Sequence, residues 1–136
     1  SSWLENGKTI YQVNGPATHD WYVNTCLTSN DETDFEAIVR QKEADSAQIE
    51  YCSNYRSSKH HIWGVNARNQ EQNFALNFLL DPNIDFVTLV GAAGTGKTLL
   101  TLASALKQTL DDQLYKEIIV TRVTVPVGED IGFLPG

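Results

Sequence analysis

The residues of this chain whose types and spacing could do chemistry lie together at Gly91-Ala92-Ala93-Gly94-Thr95-Gly96-Lys97-Thr98. The run fits G-x-x-x-x-G-K-[ST] at every fixed position, and that pattern describes a loop that cradles phosphate. Gly91, Gly94 and Gly96 permit backbone conformations that a Cβ would resist, so that successive amide hydrogens can converge on one anion. Ala92 and Ala93 keep the remaining positions small. Lys97 would reach β and γ phosphates as a compact cation, and Thr98 would offer its hydroxyl to Mg²⁺. A helix beginning at Lys97 would aim its unsatisfied amides and the positive end of its dipole at the same point.

Such a loop needs a strand before it and a helix after it. Phe86-Val87-Thr88-Leu89-Val90 is a nearly continuous apolar run, the pattern of a strand buried on both faces of a parallel sheet. Leu100, Ala103, Leu106 and Leu110 recur on one face, which predicts a helix from Lys97 to about Leu110, frayed at Asp111-Asp112 where acids oppose the helix dipole. Ile118-Ile119-Val120 reads as the next buried strand, which would complete a right-handed strand-helix-strand crossover. Upstream, Phe74, Ala75, Phe78, Leu79 and Leu80 predict an amphipathic helix over 69–80, ended by Asp81-Pro82.

Residues 1–60 follow a different pattern. Apolar residues alternate in Thr9–Asn14 and Asp34–Val39, with further candidates at Trp21–Leu27 and Gln48–Cys52, separated by Asn-, Gly-, Pro- and Ser-rich turns. Four short strands predict a small antiparallel sheet or barrel. Residues 53–61 are polar and aperiodic and read as a linker. The expected architecture is therefore an α/β, parallel-sheet P-loop NTPase unit at 61–136, preceded by a small β-rich domain at 1–60.

Composition narrows the field. Of 136 residues, 41% are hydrophobic, which describes a globular chain. Ten basic residues against seventeen acidic ones leave a net charge of −7, spread over both halves. That is a poor default for gripping duplex DNA or anionic lipid. Apolar runs are only a few residues long, so no membrane partner is expected. Cys26 and Cys52 match neither a zinc motif nor a disulfide framework and read as free thiols of a reducing cytosol. His19, His60 and His61 lack metal-ligand spacing. Asp31, Glu32, Asp34 and Glu36 cluster in a turn and on a wet strand face, where solvated charge is the expectation. The chain contains no methionine, position 1 included; this leads us to expect an excised piece of a longer protein.

Residues 62–136 resemble the nucleotide-binding domain of PhoH-like ATPases, in particular the longer bacterial form with an N-terminal PIN nuclease domain. The likeness is carried by Trp63-Gly64-Val65, Arg68-Asn69-Gln70-Glu71-Gln72, Phe74-Ala75-Leu76, the glycine-rich loop, and Val120-Thr121-Arg122 leading into Val125-Pro126-Val127-Gly128-Glu129-Asp130-Ile131-Gly132-Phe133-Leu134-Pro135-Gly136. The resemblance implies ATP as ligand with Mg²⁺, hydrolysis in a helicase-like protein, and coupling to unwinding or processing of single-stranded RNA alongside the PIN domain. It also implies that Gln70 reads adenine, whose N7 and N6 one carboxamide can meet together. Residues 1–60 would be the β-rich segment between PIN and ATPase domains.

A hydrolytic site also wants an Asp at the end of a second strand, whereas Ile118-Ile119-Val120 runs into Thr121-Arg122. The family's acidic strand would lie beyond Gly136, so this chain is expected to bind nucleotide and turn it over hardly at all. Glu129 and Asp130 are weak substitutes as metal ligands. Arg122 could meet phosphate or a nucleic-acid backbone, or pair with a nearby acid. An apolar sheet edge left open would favour a dimer. The alternative function is a β-barrel module binding RNA or protein, with Trp21, Tyr22, Phe35 and Tyr51 as stacking surfaces. A small nucleotide kinase would want a lid with arginines, which is not seen.

Overall fold

A computed structural model describes residues 1–31 and 34–123. Its sheet has five strands, β1 (Ser2–Glu5), β2 (Lys8–Asn14), β3 (Cys26–Thr28), β4 (Glu36–Lys42) and β5 (Ser46–Tyr51), and every pairing is antiparallel in the order β1-β2-β5-β4-β3. Asn6-Gly7 makes the first hairpin, with φ of +51° and +77° between the paired residues Glu5 and Lys8. Two positive φ values in a two-residue loop match the twist of the flanking strands. A register shift between Val39 and Gln41 bulges β4 at Arg40, and the bulge frees the Arg40 side chain to reach across the sheet.

β4 is buried on both faces because each face has its own cover. Ala37, Val39, Ala47 and Ile49 pack with Tyr11, Val13, Trp21, Leu27 and Phe35. On the opposite face Ile38 and Cys52 meet Phe74 and Phe78 of α1 (Gln70–Leu79). The far side of α1 places Leu76 in a second core with Ile62, Ala67, and Leu100 and Ala103 of α2 (Lys97–Leu106). α1 is thus the middle layer between sheet and α2. Asn69 starts it, its Oδ1 accepting from the Gln72 N–H at 2.9 Å, which satisfies one of the donors a helix start leaves open.

Polar groups carry much of the joint between α1 and the sheet. Asn73 and Asn77, one turn apart, face the chain as it leaves β5. The Ser53 carbonyl accepts from both carboxamides at 2.9 Å, the Ser53 N–H donates to Asn77 Oδ1 at 2.9 Å, and the Tyr55 N–H donates to Asn73 Oδ1 at 2.8 Å. Two side chains therefore do for this segment what a neighbouring strand would do. Glu36 joins them, receiving Arg56 at 2.6 and 2.9 Å and Asn73 Nδ2 at 3.1 Å. Arg40 binds Glu50 at 2.7 Å and Asp81, beyond the end of α1, at 3.0 Å.

The structure corrects several expectations. The parallel-sheet α/β P-loop architecture is not what the chain adopts: among the described residues the sheet is wholly antiparallel, there are two α-helices, and neither Phe86–Val90 nor Ile118–Val120 forms a strand. A parallel strand is held by hydrogen-bonded neighbours and by helices over both faces. These runs have neither, and Phe86, Val90, Ile119 and Val120 are exposed. Glu36 is likewise not solvated charge but a buried carboxylate at 3% exposure, inside an ion pair; Asp31 and Asp34 are exposed as expected, and Glu32 lies outside the described residues. The Trp21–Leu27 run yields a strand only at Cys26–Thr28, and residues 8–14 and 46–51 form strands close to the predicted bounds.

Trp63 and Gly64, with φ of +51° and +76°, turn the chain between the bridged residues Ile62 and Val65. The Trp63 indole N–H donates to Asp111 at 3.2 Å. α2 does not fray at its end. It widens into one π turn, Lys107–Asp111, and Lys107 Nζ grips Asp112 at 2.8 Å.

Candidate functional site

Among the described residues the glycine-rich loop leads directly into α2. Gly94 and Gly96 stand at φ +84° and +86°, the left-handed region where a Cβ costs about 1 kcal/mol or more. Gly96 is the N-cap of α2. The loop closes on itself: Thr95 Oγ1 donates to the Ala92 carbonyl at 2.8 Å, and Lys97 Nζ donates to the carbonyls of Gly91 at 2.5 Å and Ala92 at 2.7 Å and to Thr95 Oγ1 at 3.2 Å. A Cβ on Gly91 would stand 3.4 Å from Thr95 Oγ1 and 3.7 Å from Lys97 Nζ. These are ordinary contacts, so the inward fold of the ammonium leaves room for a Cβ at Gly91.

Three oxygen acceptors therefore converge on one ammonium at the head of a helix. Among the described residues no acceptor takes the amide N–H groups of Gly96, Lys97 and Thr98, and the first turn of α2 holds no acidic residue. Those N–H groups and the helix dipole leave a positive focus beside Lys97. Gly91 to Thr95 and Thr98 are exposed, while Gly96 and Lys97 are half-buried. The residues present fit a phosphate group: three donors lack an acceptor among the described residues, a cation stands beside them, and the surface is open. The Thr98 hydroxyl, exposed and without a protein partner among the described residues, fits a Mg²⁺ ligand.

The other predicted residues are dispersed. Gln70 is the exposed first residue of α1, and Arg122 is exposed outside any element. Glu129 and Asp130 lie outside the described residues. His19 pairs with Asp45 at 2.5 Å, His61 Nδ1 accepts from the Gly64 N–H at 3.0 Å, and no cluster of metal-ligating side chains occurs among the described residues. Cys26 and Cys52 are free thiols, and burial, aided by the Glu36 carboxylate, pushes the Cys52 thiol up to about 12. Trp21 and Phe35, expected as stacking surfaces in the alternative reading, pack into the sheet core instead; Tyr22 is exposed. The described sheet is open, not a barrel. No described helix is long and apolar enough to cross a membrane.

A cleft of about 720 Å³ lies between the sheet and the end of α1, away from the loop. Its principal charges are already partnered: Arg40 with Glu50 and Asp81, and Lys8 with Ser53 at 2.8 Å. It offers less to a ligand than the exposed loop does.

The sequence reading missed Gln72. This side chain donates through Nε2 to the Thr95 carbonyl at 2.9 Å and accepts through Oε1 from the Arg68 N–H at 2.8 Å. The signal was present: Asn69 and Gln72 are a cap residue and a Gln three positions on, the spacing of a capping box. Here the Gln turns to the residue before the cap and to the loop.

Comparison with known proteins adds a family likeness to this geometry. The family model described as PhoH-like protein matches residues 64–136, a span that holds the loop, both glutamines and Arg122 and leaves the five-stranded sheet outside. Protein PhoH2 of Bacillus subtilis (strain 168) is 57% identical over 76 residues, covering 56% of this chain and 17% of that protein. Protein PhoH2 of Thermobispora bispora is 41% identical over 76 residues, covering 55% of this chain and 17% of that protein. A PhoH-like protein of Bacillus subtilis is 48% identical over 52 residues, or 38% of this chain and 16% of its own length. The chain thus matches less than a fifth of the length of these curated relatives. No solved structure matches it.

Proposed function

The chain belongs to the PhoH-like protein family, and from that premise we propose that it is the ATP-binding part of a nucleotide-hydrolysing protein, with Gly91–Thr98 as the seat of the triphosphate. The observation that carries this reading is the junction of three amides, Gly96 to Thr98, unpartnered among the described residues, with the Lys97 ammonium at a helix start whose first turn holds no acid. A triphosphate offers that ammonium the same kind of oxygen acceptor that Gly91, Ala92 and Thr95 now give it, with negative charge added, so the exchange is favourable.

In this reading the amides of Gly96 to Thr98 hold the β phosphate, Gly94 and Thr95 complete the turn around it, and Lys97 swings from the carbonyls to the β and γ oxygens. Ala92 and Ala93 leave the approach clear. Thr98 would hold Mg²⁺, which would supply neutralising positive charge at the phosphates. Gln70, at the head of α1, is assigned to the adenine edge, and Arg122 to a phosphate of the nucleotide or of a nucleic-acid backbone. The role of this chain is binding and orientation. For the whole protein we propose ATP hydrolysis coupled to work on single-stranded RNA, with a PIN domain in the same polypeptide.

Lys97→Ala tests the reading. It removes a charge-assisted contact, so Mg-ATP affinity should fall about tenfold or more with the melting transition unchanged, measured by calorimetric titration and circular dichroism. Equal affinity of variant and parent would overturn it.

A further inference from the structure

We propose that Gln72 is a positioning residue that sets the direction of the Gly96 amide in the phosphate loop; its effect on affinity rests on the nucleotide reading above, whereas its effect on the loop does not. The Gln72 carboxamide is pinned at both ends, since Oε1 accepts from the Arg68 N–H at 2.8 Å and Nε2 donates to the Thr95 carbonyl at 2.9 Å. Only one orientation of the amide satisfies both partners. Its own backbone N–H is taken by Asn69 at 2.9 Å.

The Thr95 carbonyl belongs to the peptide that also carries the Gly96 N–H. A trans peptide is planar, with its C=O and N–H pointing opposite ways. Holding the carbonyl against α1 therefore turns the Gly96 N–H to the other side, where no protein acceptor meets it among the described residues. Gly96 takes part in a second way: a Cβ there would stand 3.2 Å from Gln72 Nε2, so a side chain would press on the carboxamide that directs the amide. Gln72 is itself well seated. Its neighbour Asn73 is 1% exposed and bonded to Glu36, Ser53 and Tyr55, which fixes the turn of α1 from which Gln72 projects.

The test uses the 136-residue chain and its Gln72→Leu and Gln72→Glu variants. Gln72→Leu removes both bonds; Gln72→Glu keeps the acceptor for Arg68 and removes the donor to Thr95. Each is titrated with Mg-ATP, Mg-GTP and Mg-tripolyphosphate, and the Gly96 amide resonance is followed by ¹⁵N NMR, with Leu100–Ala103 resonances as the check on fold. Loss of one hydrogen bond predicts a fall of about three- to tenfold for all three ligands by a common factor, an unchanged ATP-to-GTP ratio, and a displaced Gly96 resonance beside undisturbed α2 resonances. An unmoved Gly96 resonance, retained tripolyphosphate affinity, or a loss confined to ATP would overturn the proposal, the last assigning Gln72 to the base instead. Should the parent chain bind none of the three, the nucleotide reading fails, and the Gly96 resonance alone decides the positioning role.

Discussion

Gly94 and Gly96 hold almost the same backbone angle, yet their surroundings differ, and this separates two effects that sequence cannot tell apart. A Cβ on Gly94 would meet nothing within 4 Å, while one on Gly96 would press on Gln72. Both alanine substitutions carry the left-handed strain of about 1–2 kcal/mol, but Gly96→Ala should weaken Mg-ATP binding several-fold more than Gly94→Ala, in titrations run side by side. Cys52 supplies a pH prediction. Its thiol is raised from 9.0 to about 12, so the folded state favours the neutral form. That contribution is complete below pH 9 and is lost as pH rises from 9 toward 12. Thiol titration at pH 8 should label exposed Cys26 in the native chain and Cys52 only after unfolding. At this scale the loop was legible because its function depends on main-chain geometry that glycine alone permits. Buried Glu36 was not, because nothing along the sequence announces that Arg56, twenty residues away, will meet it.

Among the elements α1 is the one on which the others depend. Asn73→Leu would leave the Ser53 and Tyr55 main chain and the Glu36 carboxylate short of partners, at a cost of about 2–4 kcal/mol read from urea unfolding. Ser104 on α2 points the opposite way. Its hydroxyl is buried and lacks a partner among the described residues, so Ser104→Ala should raise stability by about 1 kcal/mol. The helices were readable from their apolar periods, and α1 begins one residue after its Asn cap. β1 escaped notice although Asn6-Gly7 is the strongest two-residue hairpin signal, because Ser2–Glu5 shows no alternation and every residue in it is exposed. The runs at 86–90 and 118–120 misled for a related reason. An apolar stretch states that a strand would be stable when covered and says nothing about which segment covers it.

For the molecule as a whole, those runs leave several large apolar side chains in solvent among the described residues, with Phe86 84%, Val90 91% and Ile119 79% exposed. Where such side chains gather into a patch they drive association. The chain in isolation should bind a hydrophobic dye such as ANS and sediment above monomer mass at micromolar concentration, and Phe86→Glu together with Ile119→Glu should reduce both; a monomer that binds no dye would refute this. The net charge of −7 opposes association at low salt, so the effect should grow with ionic strength.

The bond from the Trp63 indole to Asp111 gives the chain a built-in optical gauge. Indole emission responds to a carboxylate on its N–H and to the water around it, and this one ties the turn ahead of α1 to the far end of α2. With Trp3 and Trp21 replaced by Phe, the colour and lifetime of the remaining emission would track α2 turning or sliding as its head receives a ligand, without any dye attached.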